Sequence, residues 1–279
     1  MGRFEGRNAI VTGASRGIGA AIAQRLAAEG ANVVITARTV DRHDHLAGSL
    51  NDTLERCRRH GTTVAAVAAD LGDPASRARI VPEAVEILGG RVDILVNNAA
   101  AAIYASVLDY PPKRAHLMFE INVHAPLELA QAVIPGMLDR GEGWIVNVSS
   151  ATARHAPGPP YKTSGVTTMI GVYGATKAAL NRITHALAVE LHGRGVRVNT
   201  VEPRAAVLSE GADALVGGTL SDDQIESMEA MVEGTLVLCD CPPDRTGQVC
   251  VSLDLLDELG VTVMGLDGRS PHPSGQRGS

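Results

Sequence analysis

Thr12-Gly13-Ala14-Ser15-Arg16-Gly17-Ile18-Gly19 is the stretch on which the fold turns: it follows a short apolar run, Asn8-Ala9-Ile10-Val11, and opens a helical pattern over residues 17–29. Three glycines between a strand and a helix let the backbone turn tightly and approach a ligand, while the unpaired amides and dipole of the helix N-terminus supply positive potential. Such a turn suits a pyrophosphate, with Gly13, Ser15, Arg16, Gly17, Ile18 and Gly19 as its binding residues. Glycines also serve merely to make turns, and it is the placement after a first strand that favours binding.

Outward from this turn, short β-rich runs alternate with longer helical patterns, the signature of an α/β fold whose parallel sheet carries helices on both faces. Strands are predicted at 8–11, 32–36, 63–68, 91–96, 144–148 and 196–201, and helices at 17–29, 48–60, 75–88, 113–138 and 173–191. Two regions break the rhythm. Residues 151–172 form a loop rich in Pro, Gly and Thr that is too long for a connector, and it reads either as a substrate-contacting segment or as a disordered insertion. Residues 205–220 are small and polar, and Ser221-Asp222-Asp223-Gln224 has the form of a capping box ahead of an apolar-periodic helix. With no internal repeat and no second domain, residues 1–268 are expected to form one domain that includes both loops, followed by a flexible tail at 269–279.

Composition narrows the function. At 279 residues, with 45% hydrophobic and 20% charged, the chain belongs with ordinary globular proteins. A net charge of −6 and the lack of a basic stripe argue against a nucleic-acid partner. The apolar runs are too short to cross a membrane and the start is interrupted by Arg3, Glu5 and Arg7, so a cytoplasmic protein is expected. Cys57, Cys239, Cys241 and Cys250 have the spacing of neither a disulfide framework nor a zinc site, which leaves reduced, partly buried thiols and no metal.

Tyr173-Gly174-Ala175-Thr176-Lys177 sets a phenol and an ammonium one helical turn apart. Tyrosine and lysine titrate near about 10 and 10.4, so neither exchanges protons readily at neutral pH. A nearby cation favours phenolate, which would make Tyr173 a general acid/base. A pair at this spacing is usually plain surface, and the reading gains weight only from the rest of the chain. At the end of the second strand, where an NAD enzyme needs a carboxylate for the adenosine ribose, stand Ala37 and Arg38. Arg38, with Arg16 as a second cation, could pair a 2′-phosphate, so NADP(H) is preferred. Asp41 nearby keeps NAD(H) possible, and Arg38 also reads as a solvated loop cation.

With these residues in view the sequence resembles the short-chain dehydrogenase/reductase family up to about residue 204. The ordered set is TGASRGIG, Asp70-Leu71, Asn97-Asn98-Ala99-Ala100, Asn122-Val123, Ser149-Ser150 and YGATK. The resemblance implies a three-layer Rossmann-type fold with a parallel sheet of about seven strands, and hydride transfer to or from NAD(P). It implies that Tyr173 is the proton donor, that Lys177 holds the nicotinamide ribose and lowers the tyrosine pKa, that Ser150 orients the substrate oxygen, and that Asn122 binds a water linking Lys177 to solvent. Asp70 and Leu71 would meet the adenine and Asn98 the cofactor's path. Ser149 remains the alternative to Ser150.

Departures accompany the matches. Ala100 replaces the usual glycine, the Ser150-to-Tyr173 gap is roughly ten residues longer than the family shows, Pro203-Arg204 replaces Pro-Gly, and the C-terminal part lacks the usual acidic-glycine ending. The leading expectation is an oxidoreductase acting on the alcohol/carbonyl pair of a small apolar molecule, with Ile103, Tyr104, Pro159, Pro160, Tyr161 and Met169 as candidate lining. The alternatives are a catalytically silent NADP(H)-binding sensor or scaffold, and a dehydratase or epimerase on the same fold. Apolar residues on the helices at 113–138 and 173–191, among them Leu117, Leu129, Val133, Leu180 and Leu187, suggest a homodimer or homotetramer, although core packing also accounts for much of that pattern.

Overall fold

A computed structural model of the chain describes residues 2–41, 47–161, 167–209 and 225–273. The strands are β1 (Asn8–Thr12), β2 (Asn32–Ala37), β3 (Val64–Ala68), β4 (Ile94–Asn97), β5 (Gly143–Val148), β6 (Val196–Glu202), β7 (Ala206–Val207), β8 (Ile225–Glu226) and β9 (Val249–Val251). The helices are α1 (Gly17–Ala28), α2 (Leu50–Arg58), α3 (Pro74–Ala78), α4 (Ile80–Ile87), α5 (Pro112–Phe119), α6 (Ala125–Arg140), α7 (Gly171–Glu190), α8 (Met228–Leu238) and α9 (Ser252–Leu259).

Seven strands pair in parallel in the order β3-β2-β1-β4-β5-β6-β9, and β7 and β8 form a separate parallel pair. Every residue of β1, β4 and β5 is buried, as central parallel strands covered on both faces require. One apolar layer joins α1, α2, α8 and α9 to the sheet, and the other joins α4, α6 and α7 to its opposite face. The strand order reverses between β1 and β4, so their C-terminal ends flank the crevice where open α/β sheets bind ligands.

Three expected elements come out differently. The helix expected at 113–138 is α5 and α6 joined by a π-turn, Glu120–His124. Pro126 has no N–H to continue the α-helical ladder back to Asn122, which accounts for the break. The helix expected at 75–88 is divided at Arg79 into α3 and α4. The strand expected at 91–96 begins at Ile94, after Asp93 has used its N–H on the Asn8 carbonyl (2.8 Å).

The Ser221–Gln224 capping box lies outside the described residues. Helix α8 starts at Met228 and is capped by Ser227, whose Oγ accepts from the Ala230 N–H (3.2 Å). Part of the expected tail is described: Met264 bridges Pro271, and the His272 N–H donates to the Val263 carbonyl (2.8 Å). All four cysteines are free and buried. Among the described residues no helix is long and apolar enough to cross a membrane, and no group of His, Cys, Asp or Glu side chains could hold a metal ion.

Candidate active site

The glycine turn runs from β1 into α1. Gly13 has φ +67°, and a Cβ there would lie 2.6 Å from the Ala99 Cα; a Cβ on Gly19 would run into the Asn98 side chain and the Gly13 carbonyl. Arg16, the residue ahead of α1, is extended and no side chain caps the helix, so the amides of its first turn remain for a ligand. Thr12 stitches the crevice together: its Oγ1 accepts from the N–H groups of Asn98 (3.0 Å) and Ala99 (3.1 Å). The Asn98 side-chain amide donates back to the carbonyls of Thr12 (2.9 Å) and Gly13 (3.3 Å). Asn98 therefore shapes the turn from behind, and Thr12 is a member of the site that sequence reasoning missed.

A bare glycine cradle and uncapped amides at a sheet's switch point fit a dinucleotide pyrophosphate. Gly13→Ala is accordingly expected to lower stability by about 2 kcal/mol or more, through positive φ and overlap with the Ala99 backbone, and to abolish cofactor binding. Thermal unfolding alongside nicotinamide fluorescence would check both effects. Ser15 is buried in the turn and Ile18 half-buried. Arg16 donates from Nε to the Ala47 carbonyl (2.9 Å) and from Nη2 to the Gly48 carbonyl (3.1 Å). Arg38 is exposed just past β2, while Asp41, the residue that kept NAD open, accepts from the Asn51 side chain (2.6 Å).

Past β3, Asp70 is exposed and Leu71 buried. Asp70 Oδ1 accepts from the Gly72 N–H (2.9 Å), and the Asp70 N–H donates to Ser76 Oγ (3.0 Å).

Tyr173 and Lys177 lie one turn apart on α7. Ser150 lies near enough to the Tyr173 hydroxyl to lower its pKa, so the pair is not separated by the residues between them. Ser150 Oγ accepts from the Thr152 N–H (3.3 Å) and from Thr152 Oγ1 (3.0 Å). Gly174 makes this approach possible, since a Cβ there would strike the Thr152 carbonyl in the short 3-10 turn Ala151–Ala153 that follows Ser150. Ser149 is turned the other way and donates to Asn181 Oδ1 (2.6 Å), which separates the two candidate serines. Tyr161, the other tyrosine on this loop, is 62% exposed.

Lys177 is buried and donates to the Val148 carbonyl (2.7 Å), with Nζ 5.8 Å from the Tyr173 ring centroid. Burial of the ammonium pulls its pKa down to about 8. The Tyr173 hydroxyl does not show the lowered pKa that the sequence suggested. Burial pushes it above the ordinary phenol value, the neighbouring Tyr104 adds to the rise, and nearby Ser150 offsets only part of it. Tyr104 packs edge-on against Tyr173, with ring centroids 5.8 Å apart.

Asn122 is fully buried in the π-turn. Its Oδ1 accepts from the Ala101 N–H (2.8 Å), and its Nδ2 donates to the Ala101 carbonyl (2.9 Å) and to Thr176 Oγ1 (3.0 Å). Thr176 in turn donates to the Tyr173 carbonyl (2.7 Å). Sequence reasoning passed over Thr176, although it lies within the YGATK run. Among the departures, Ala100 is exposed and, like every described non-glycine residue, has negative φ, so its methyl group causes no strain. Val207 is buried in the apolar layer, and the Arg204 N–H donates to Glu226 (2.8 Å).

Residues 7–212 match the family of short chain dehydrogenases. The chain belongs to the short-chain dehydrogenase family. A short-chain dehydrogenase structure from Mycobacterium thermoresistibile superimposes with a TM-score of 0.79 at 28% identity, covering 96% of this chain and 93% of that one. A short-chain dehydrogenase from Burkholderia cenocepacia in complex with NADP gives 0.74 at 30% identity, covering 89% and 97%. The mouse protein called hydroxysteroid dehydrogenase-like protein 2 is 32% identical over 260 residues, which are 93% of this chain and 51% of that protein. This short-chain dehydrogenase thus spans about half the length of that relative.

Proposed function

We propose that this short-chain dehydrogenase interconverts an alcohol and a ketone or aldehyde in a small apolar molecule, using NADPH in preference to NADH. The observation that carries the reading is the buried Lys177 set against the Tyr173 ring, Nζ 5.8 Å from its centroid, with Ser150 beside the phenol despite 22 intervening residues. Bound at the glycine turn, the nicotinamide cofactor supplies or accepts the hydride. Tyr173 holds the proton that a developing alkoxide takes up. Ser150, whose Oγ accepts from the Thr152 N–H and hydroxyl and so keeps its own proton to donate, gives the substrate oxygen a second donor and fixes its place. Lys177 sets a positive charge below the Tyr173 ring, which favours phenolate when the proton leaves. Asn122 anchors Thr176, and through it the first turn of α7.

Ile103 and Tyr104, together with Met169, whose carbonyl accepts from the Ala105 N–H (3.1 Å), support an apolar substrate. The hydroxysteroid dehydrogenase-like name of the mouse relative agrees with that. Exposed Arg38, the engagement of Asp41 by Asn51 and the NADP-bound relative support the cofactor preference. Arg38→Ala is expected to weaken NADPH binding about tenfold or more, the loss of a charge-assisted pairing, and to leave NADH unchanged. Reduced-nicotinamide fluorescence titrations with both cofactors would check it, and equal weakening of the two would remove Arg38 from the 2′-phosphate site. A cytoplasmic homodimer or homotetramer completes the proposal. Leu129, Val133 and Leu180 are spent on the core and Leu187 packs against it, which leaves exposed Leu117 for such a contact.

A further inference from the structure

Arg77 is one of the largest fully buried side chains, and nothing in the chemistry above uses it. It sits on α3, directly after Ser76, whose hydroxyl receives the Asp70 N–H. Its guanidinium reaches in three directions. Nη1 donates to the Leu71 carbonyl (2.6 Å) in the loop after β3. The same nitrogen pairs with Glu120 (2.8 Å), the first residue of the π-turn. Nε and Nη2 grip both oxygens of Glu128 on α6 (2.7 Å each). This planar fork is a use to which lysine is poorly suited.

The contacts form a continuous path. The Asp70-Leu71 loop is held by Ser76 and Arg77. Arg77 holds Glu120. Two residues on, Asn122 is bonded to Ala101 and Thr176, and Thr176 to the Tyr173 carbonyl. The π-turn is the irregular link in this path, and irregular helix turns of this kind recur at functional sites. Two of its ends lie at separate parts of the proposed site, the adenine loop and the start of α7.

We infer that Arg77 is a positioning residue that couples occupancy of the Asp70-Leu71 loop to the geometry of the Asn122 π-turn, so that binding the adenosine end of a dinucleotide orders the helix turn carrying Tyr173. The inference rests on the dinucleotide-binding part of the proposed function. It makes a statement about binding that does not depend on turnover. Adenosine 2′,5′-bisphosphate carries the adenosine end without nicotinamide, and its effect is read by hydrogen exchange.

In the wild type, saturating adenosine 2′,5′-bisphosphate is expected to slow amide exchange over residues 119–125 about 2- to 30-fold, the range that corresponds to ordinary long-range couplings. Glu120→Ala removes one contact of Arg77, on a side chain that is itself partly exposed, and leaves Glu128 and Leu71 in place. That variant should bind the bisphosphate as the wild type does, with protection at residues 70–77 kept and the slowing at 119–125 lost. Arg77→Lys, which retains the charge but not the fork, should recover little of it. With full cofactor, both variants should lose kcat more than they raise KM for NADPH. Slowing at 119–125 that persists in Glu120→Ala, or its absence from the wild type despite tight binding, overturns the inference alone. Failure of the wild type to bind the bisphosphate, NADPH and NADH overturns the dinucleotide reading and the inference with it.

Discussion

Tyr173→Phe is expected to reduce carbonyl turnover about 10²- to 10⁴-fold, the usual worth of a positioned general acid, while the NADPH titration stays close to wild type. The change deletes one oxygen from a side chain that is packed against Tyr104. The ring packing survives, so the loss would report the proton. The raised pKa of Tyr173 gives the expectation a direction. A phenol held above its ordinary value remains protonated through neutral pH, which suits it to give a proton to a nascent alkoxide. Phenolate forms readily only when an added positive charge or a bound substrate oxygen compensates for burial. Carbonyl reduction should therefore be less sensitive to pH near neutrality than alcohol oxidation is. Steady-state rates in both directions from pH 6 to 9 would check this, for wild type and for Ser150→Ala, which removes the one contact that offsets the rise. If Tyr173→Phe keeps wild-type turnover, the proposed acid is wrong; if neither protein turns over any carbonyl while both bind NADPH, the sensor reading takes its place.

Local patterns in the sequence locate the sheet, the glycine turn and the Tyr/Lys pair because each depends on residues close together in the chain. Strand β1 and the turn after it follow from a buried apolar run ending in Thr12-Gly13, and α7 from its helical spacing. Contacts between distant segments were harder to read. What sets Ser149 apart from Ser150 is Asn181, 32 residues beyond Ser149, which takes up the Ser149 hydroxyl. The break in the 113–138 helix is not legible at Pro126, because proline is tolerated in the first turn of a helix, and only the observed π-turn shows that a new helix starts there. Thr12 reads in the sequence as the first residue of the glycine turn, and its second role comes from Asn98 and Ala99 just past β4, more than 80 residues later. The direction of the Tyr173 shift was misjudged for a related reason. Spacing places Lys177 near the ring, but burial depends on Tyr104 and the packed surroundings, which spacing does not reveal.

Lys177→Met is expected to abolish turnover and to make the protein more stable at neutral pH. The ammonium is buried, with its pKa drawn down to about 8 by loss of water, and the Val148 carbonyl is its hydrogen-bond acceptor. Holding it charged there costs about 3 kcal/mol, and freeing the Val148 carbonyl by mutation returns about 1 kcal/mol of that penalty. The net gain of about 2 kcal/mol corresponds to a rise in Tm of several degrees for a chain of this size. The sign of the pH dependence follows from linkage. An unfolded lysine titrates near about 10.4, so between about 8 and that value the unfolded state binds more protons than the folded one, and wild-type stability from this group rises with pH. Below about 8 both states are protonated and the full cost applies. The advantage of Lys177→Met should accordingly be largest at pH 7 and shrink as pH approaches 10. Activity should move the opposite way: kcat/KM for carbonyl reduction is expected to fall above about pH 8 as Lys177 loses its charge. Differential scanning calorimetry of both proteins at pH 7 and pH 9.5, with a pH–rate profile of the wild type, would check the two halves independently. A variant less stable than wild type at pH 7 would show that Lys177 holds the fold together. A loss of activity with no change in stability would leave the charge its catalytic role but remove the burial cost from which the low pKa is argued.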